Sequence, residues 1–180
     1  MNTADIFAHA TTAGYSAHAT TTGDYAHALT AGYSAHATTT GDYSRASTAG
    51  YYAHATTAGD YAYATTAGND AHASTAGYYA HATTAGDYAY ATTTGNDAHA
   101  TTTGQRAHAS VSGANSIAVA IGYNSAARAA DGGFIVLAQY SPYGDTVVAV
   151  KTAQAGKDGI KPDTWYTLSP TGEFVEVEVE

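Results

Sequence analysis

Cysteine is absent from this sequence, which excludes a disulfide framework and every thiolate metal site. Lysine and arginine together number six against fifteen aspartates and glutamates. That is too few, and too scattered, for the basic cluster that a phosphate backbone requires. Nucleic acid is therefore not expected as a partner, although the acidic surface would tolerate a basic one. No apolar run is long enough to cross a bilayer, so no membrane partner is expected either. The first ten residues, MNTADIFAHA, have neither a basic start nor a long apolar stretch, so no signal peptide is expected. The expected setting is cytoplasmic at synthesis, compatible with later assembly in a virion or outside the cell. Leucine, isoleucine and phenylalanine are scarce, and most of the 44% hydrophobic content is alanine and tyrosine. A thick conventional core is thereby ruled out.

What the chain does have is a repeat. Residues 8–124 are thirteen consecutive copies of a nine-residue unit, beginning AHATTAGYS and AHATTTGDY. Position three is alanine throughout. Position five is threonine until Val111 and Ala120 replace it. Position seven is always glycine: Gly14, Gly23, Gly32, Gly41, Gly50, Gly59, Gly68, Gly77, Gly86, Gly95, Gly104, Gly113 and Gly122. In the second unit, Ala17 to Tyr25, the small residues Ala17, Ala19, Thr21 and Gly23 alternate with the polar His18, Thr20 and Thr22. That is the period of a strand with one face turned inward. An alanine-rich helix would have to absorb a glycine and usually two threonines in every nine residues. A strand ending in a glycine turn is the better reading, since glycine reaches positive φ freely.

Nine residues span too little perimeter to close a coil. Two units per coil give an all-β solenoid, a flat two-sheet β-roll rising about 4.8 Å per coil. Residues 1–7 read as an N-terminal cap, with Ile6 and Phe7 covering the first coil. The solenoid is assigned to 8–130, and 131–180 to a small antiparallel β module acting as a C-terminal cap or oligomerisation foot. In that module FIVLAQY and TVVAVKT are strand-like runs joined by SPYGD, a hairpin signal. An interior of little more than alanine recovers little free energy on burial. Self-association is therefore expected, as a homo-oligomer and most simply a trimer, with end-to-end filaments as an alternative.

Residues 115–132, NSIAVAIGYNSAARAADG, resemble the left-handed β-roll repeats of trimeric autotransporter adhesin heads, of the form N-S-x-A-x-A-x-G-x-x-S-x-A. The Ala-x-Ala-x-x-x-Gly frame extends the resemblance upstream. GGFIVLAQY, IKPDTWYTL and GEFVEV resemble the C-terminal module that follows Ala/Gly/Ser repeats in uncharacterised proteins of phages and gut bacteria. These resemblances imply a β-roll rod associated with mobile elements, of fibre or adhesin type, with no assigned activity.

All nine histidines occupy position two, and a two-unit coil places His18, His36, His54 and His72 on one ladder. Neutral imidazoles so arranged could take zinc, nickel or copper. The competing reading is a structural row covering the roll or lining an interface, and no cofactor is assigned. Position eight puts Tyr15, Tyr33 and Tyr51 on one edge, where a stacked aromatic strip could bind a protein or glycan receptor. Asp24, Asp42 and Asp60 fall on the other edge. Outward threonines Thr11, Thr20, Thr38 and Thr56 form a row interrupted by Leu29, and such a row on a flat sheet has the look of an ice-binding surface. Asn69/Asp70 and Asn96/Asp97 lack the double glycine of calcium nonapeptides. No nucleophile–base pair or phosphate loop is evident, so no enzyme is expected. The leading reading is a non-enzymatic structural or interaction rod. Its rivals are an ice-binding protein and an acidic nucleic-acid mimic directed at host defence.

Overall fold

A computed structural model describes residues 7–179, so Ile6 and most of the expected N-terminal cap lie outside the described residues. Its strands, in chain order, are β1 (His9–Ala13), β2 (His18–Thr22), β3 (His27–Ala31), β4 (His36–Thr40), β5 (Arg45–Ala49), β6 (His54–Ala58), β7 (Tyr63–Ala67), β8 (His72–Ala76), β9 (His81–Ala85), β10 (Tyr90–Thr93), β11 (His99–Thr102), β12 (His108–Val111), β13 (Ile117–Ala120) and β14 (Ala126–Ala129). Four more follow: β15 (Phe134–Tyr140), β16 (Val147–Gln154), β17 (Tyr166–Leu168) and β18 (Phe174–Glu176). No helix occurs among the described residues. The chain is an all-β solenoid of about seven turns with two nonapeptides per turn.

Register follows directly from the repeat. Each strand pairs in parallel with the strand two units on, so His18 lies beside His36 and His36 beside His54. Up to β15 the odd strands build one sheet, which β16 ends: β1-β3-β5-β7-β9-β11-β13-β15-β16. Even strands build the other, ordered β18-β17-β14-β12-β10-β8-β6-β4-β2. We call these sheet A and sheet B. The interior between them is filled by the small positions: Ala55, Ala64 and Ala82 from position three, and Thr57, Thr66 and Thr84 from position five, all essentially without exposure. The threonine hydroxyls from Thr48 to Thr102 are buried and meet no hydrogen-bond partner in the protein.

The glycines do a different job from the one their turn signal suggests. In the early coils their φ is positive, as in Gly59 (+147°), but from Gly86 to Gly122 it lies outside the left-handed region. What the coils from Gly32 to Gly122 share is close stacking on the coil before. A Cβ on Gly59 would sit 2.2 Å from the carbonyl oxygen of Gly41, and one on Gly104 would sit 1.8 Å from that of Gly86. No side chain fits between successive coils at this corner. The tight left-handed residue of the turn is instead position nine, where Tyr43 (φ 59°), Tyr61 (56°), Asp97 (54°) and Asn124 (54°) adopt it. Asparagine tolerates that conformation well, and tyrosine does so at a cost.

At the C-terminal end the parallel ladder of sheet A continues into β15, which pairs with β13 on one side. Its other partner is β16, antiparallel, completing the expected hairpin. Sheet B is finished by β17 laid antiparallel on β14 at Ala127 and Tyr166, and by β18 on β17. Ile135, Leu137, Ala155, Ile160 and Tyr166 form the buried centre of this cap. Phe7 does not close the other end. It is 63% exposed and stacks on Tyr25 at 5.4 Å between ring centroids.

Candidate interaction surfaces

Because each strand alternates in and out, each sheet shows three parallel outer columns, from positions two, four and six. On sheet B the first column is a continuous stack of rings. His18, His36, His54 and His72 follow one another at 4.7–4.8 Å between centroids, their planes nearly parallel. Tyr90 extends the stack at 4.9 Å, His108 joins Tyr90 at 4.6 Å, and Trp165 of the cap meets His108 edge-on at 5.5 Å. Arg128 lies over the Trp165 ring at 4.8 Å. Sheet A is less regular. His9 and His27 stack at 4.8 Å, Arg45 lies over Tyr63, and Tyr63, His81 and His99 continue the column.

Burial is the main reason that His27, His36, His54, His72 and His81 are held below the ordinary imidazole range, and neighbouring histidines add to it for all but His72. For His72 the Asp70 carboxylate works the other way. Burial alone pushes His108 down to about 4. The stack also bears on metal binding. Two nitrogens sharing a zinc ion lie at most about 4.2 Å apart, whereas equivalent nitrogens of parallel rings are separated by the 4.7–4.8 Å stacking repeat. An ion bridging successive rungs would have to unstack them. No cluster of three or more potential ligand side chains occurs among the described residues.

The turns form two edges. On one, Tyr15, Tyr33 and Tyr51 stack at 5.1 and 5.6 Å. On the other, Tyr25, Tyr43, Tyr61 and Tyr79 form a second tyrosine ladder at 4.9–5.0 Å. The aspartates beside it are not free charges. Asp24 accepts a hydrogen bond from the backbone N–H of Asp42, Asp42 from Asp60, and Asp60 from Tyr78, at 2.8–3.1 Å. Asn96 accepts the same bond from Ala114 on this edge, and on the Tyr15 edge Asn69 accepts it from Asp87 and Asp87 from Gln105. Each closes a backbone donor that the strand ladders do not reach. The eighteen-residue recurrence of Asp or Asn at position eight was the signal for this role.

The outward threonines divide between the two sheets. Thr11 stands with Leu29 on sheet A, while Thr20, Thr38 and Thr56 stand on sheet B, followed by Ser74 and Thr92. Leu29 therefore does not interrupt the sheet B row. One cleft of about 480 Å³ lies where the tail meets the solenoid, lined by Tyr88, Tyr90, Arg106 and His108 on one side and by Thr167 and Val177 to Val179 on the other. Arg106 donates to the Tyr88 hydroxyl and lies over its ring there. Set against family models, curated proteins and solved structures, the chain matches none.

Proposed function

We propose that this chain is a non-enzymatic structural rod that works by self-association, its stacked columns serving as interfaces in place of a reaction centre. The observation that carries this reading is the continuity of the outer columns. Side chains of one kind repeat at single-coil spacing on flat faces, and this periodicity suits contact with another extended surface. The thin alanine and threonine interior points the same way, because a second layer would bury apolar atoms that a lone roll leaves wet. Light scattering at micromolar concentration is expected to give a mass above the 18.3 kDa of one chain, with short rods in negative-stain micrographs. A single-chain mass would overturn the reading. Tail fibres and adhesin stalks of mobile elements are the natural setting, in line with the resemblances of the repeats and the C-terminal module.

A second reading is supported by the sheet B row. Thr20, Thr38, Thr56, Ser74 and Thr92 form an unbroken outward hydroxyl column, flanked at position six by Thr22, Thr40 and Thr94. This flat hydroxyl row, with a second row that Ala58 and Ala76 interrupt, suits an ordered water lattice. Ice recrystallisation assays test this, and crystals growing as fast as in buffer would remove it.

A further inference from the structure

The two outer faces are built from one repeat, yet they differ in what they offer a second molecule. Over its solenoid strands, β2 to β14, sheet B carries no aliphatic side chain larger than alanine on its outer columns; Trp165 covers one end of them, and in the cap strands beyond, Val175 of β18 is 42% exposed. Sheet A exposes Leu29 (49%), Ile121 (36%), Phe134 (39%), Val148 (60%) and Val150 (57%). Ile121, Phe134, Val148 and Val150 gather on neighbouring strands at the C-terminal end. The same face carries one fixed charge, Arg45, on a chain whose net charge is −9. The acids are kept to the turns and the cap. A face cleared of charge and holding exposed aliphatics has the composition of an interface centre.

We infer that two copies of this chain pack through the outer faces of sheet A, related by a two-fold axis parallel to the rod. This rests on the self-association reading and names its surface. The column arithmetic selects the axis. Such a rotation keeps each strand level with its own counterpart and reverses its direction, so position two of one copy faces position six of the other. On sheet A, position two is bulky (Arg45, Tyr63 and His81), and position six of the same strands is alanine (Ala49, Ala67 and Ala85). Large side chains thus meet alanine from β1 to β9, with Arg45 meeting Ala49 of the other copy and avoiding its own charge, while at β13 Ile117 meets Ile121. Position four meets itself, which brings Val119 onto Val119. Sheet B fits this less well, because its sixth position is mixed, with Thr40 and Thr94 on either side of Ala58 and Ala76. Nine strands about 4.8 Å apart and about 16 Å long give a face of roughly 700 Å². A stable pair needs about 800 Å² per partner, so the whole face is required and is nearly sufficient. The pair is isologous and closed.

The test uses the full chain. Sedimentation equilibrium is expected to return twice 18.3 kDa. The double variant Ala67→Glu/Ala85→Glu places acids opposite Tyr63 and His81 of the other copy, and should return a single-chain mass with unchanged circular dichroism. Ala58→Glu/Ala76→Glu adds the same charge to sheet B and should leave the doubled mass. A doubled mass broken by the sheet B pair and not by the sheet A pair would overturn this face, as would a trimer mass, while leaving self-association standing. A wild-type monomer would overturn both. Because the chain has no cysteine, a short bis-maleimide gives a measurement that needs no charge in the face. Val119→Cys should cross-link to a dimer and Thr56→Cys should not, and the reverse pattern would overturn the proposal.

Discussion

In the middle of the rod, Thr48, Thr57 and Thr66 turn hydroxyls into the interior that meet no protein partner. In the last coils Val111 takes the same position, Leu137 continues that column beyond Ala120, and Ile135 continues the alanine column beyond Ala118. The first position differs as well. It is alanine in most early coils, but Ser116 and Ser125 each accept from a backbone N–H of the coil below and donate to a carbonyl there. Position nine passes from tyrosine to Asn115 and Asn124, which suit its left-handed backbone. The same frame is therefore held in two ways. The early coils depend on repetition, through backbone ladders and stacked rings, and the late coils on side-chain packing and satisfied polar groups. Amides of β3 to β6 should exchange faster than those of β11 to β14, and equal protection along the rod would break the comparison.

The largest expected effect tests what both regions share. Gly59→Ala drives a methyl to 2.2 Å from a backbone oxygen that cannot move without shifting a whole coil. Loss of more than about 4 kcal/mol is expected, read as collapse of the urea midpoint. Gly14, in the first coil, has nothing within 4 Å of the same methyl, so Gly14→Ala should cost about 1 kcal/mol through its backbone conformation alone. Similar losses at the two sites would show that the turn, and not stacking, selects glycine.

Next in size is acid sensitivity. The folded-state pKa values of His27, His36, His54, His72, His81 and His108 are lowered, so the fold favours neutral imidazole. Their contribution is complete above the unfolded value of about 6.5 and is lost as pH falls through the folded values. For His108, packed between Tyr90 and Trp165 with Arg128 beyond, that window runs from 6.5 down to about 4. Allowing for its partial exposure, about 1–2 kcal/mol should be lost there. Thermal melting from pH 8 to 4 should fall below pH 6.5, and His108→Tyr, the residue found one rung earlier, should flatten the lower part of the curve. Here the late region should be the more sensitive one.

The early interior can be made to resemble the late one. Thr57→Val and Thr66→Val remove hydroxyls buried without a partner and keep the branched shape, so each should stabilise by about 1 kcal/mol. A loss of stability in both would mean that the hydroxyls do find partners, by a route other than the protein's own groups.

Much of this was legible in the sequence, because an eighteen-residue coil puts every ninth residue in a known column. Alternation identified the strands, and position two identified the His18 to His72 stack. Periodicity does not carry backbone angles, so it points to Gly59, whose φ is indeed positive at 147°, and not to Tyr61, which holds the tighter left-handed turn at 56°. Nor does it carry contacts between columns. The threonine row was read as one line through Thr11 and Thr20, although successive units lie on opposite sheets. The docking of Trp165 on His108 had no signal, since one unrepeated residue has no column to be read from.

The smallest effect concerns the edge. Asp60 accepts the Tyr78 backbone N–H at 2.8 Å, as Asn96 accepts that of Ala114 at 2.8 Å two coils later on the same edge. An amide oxygen serves this bond as well as a carboxylate does. Asp24, Asp42 and Asp60, however, stack like charges at the coil repeat, and Asn96 does not. Asp60→Asn should therefore keep the bond, relieve repulsion from Asp42, and change stability by a few tenths of a kcal/mol in the favourable direction at low salt, less at high salt. Asp60→Ala should leave the Tyr78 donor to water and lose about 0.5–1 kcal/mol at any salt. If alanine and asparagine behave alike in urea melts, the acid row is only a charged edge, and the early and late turns differ in charge alone.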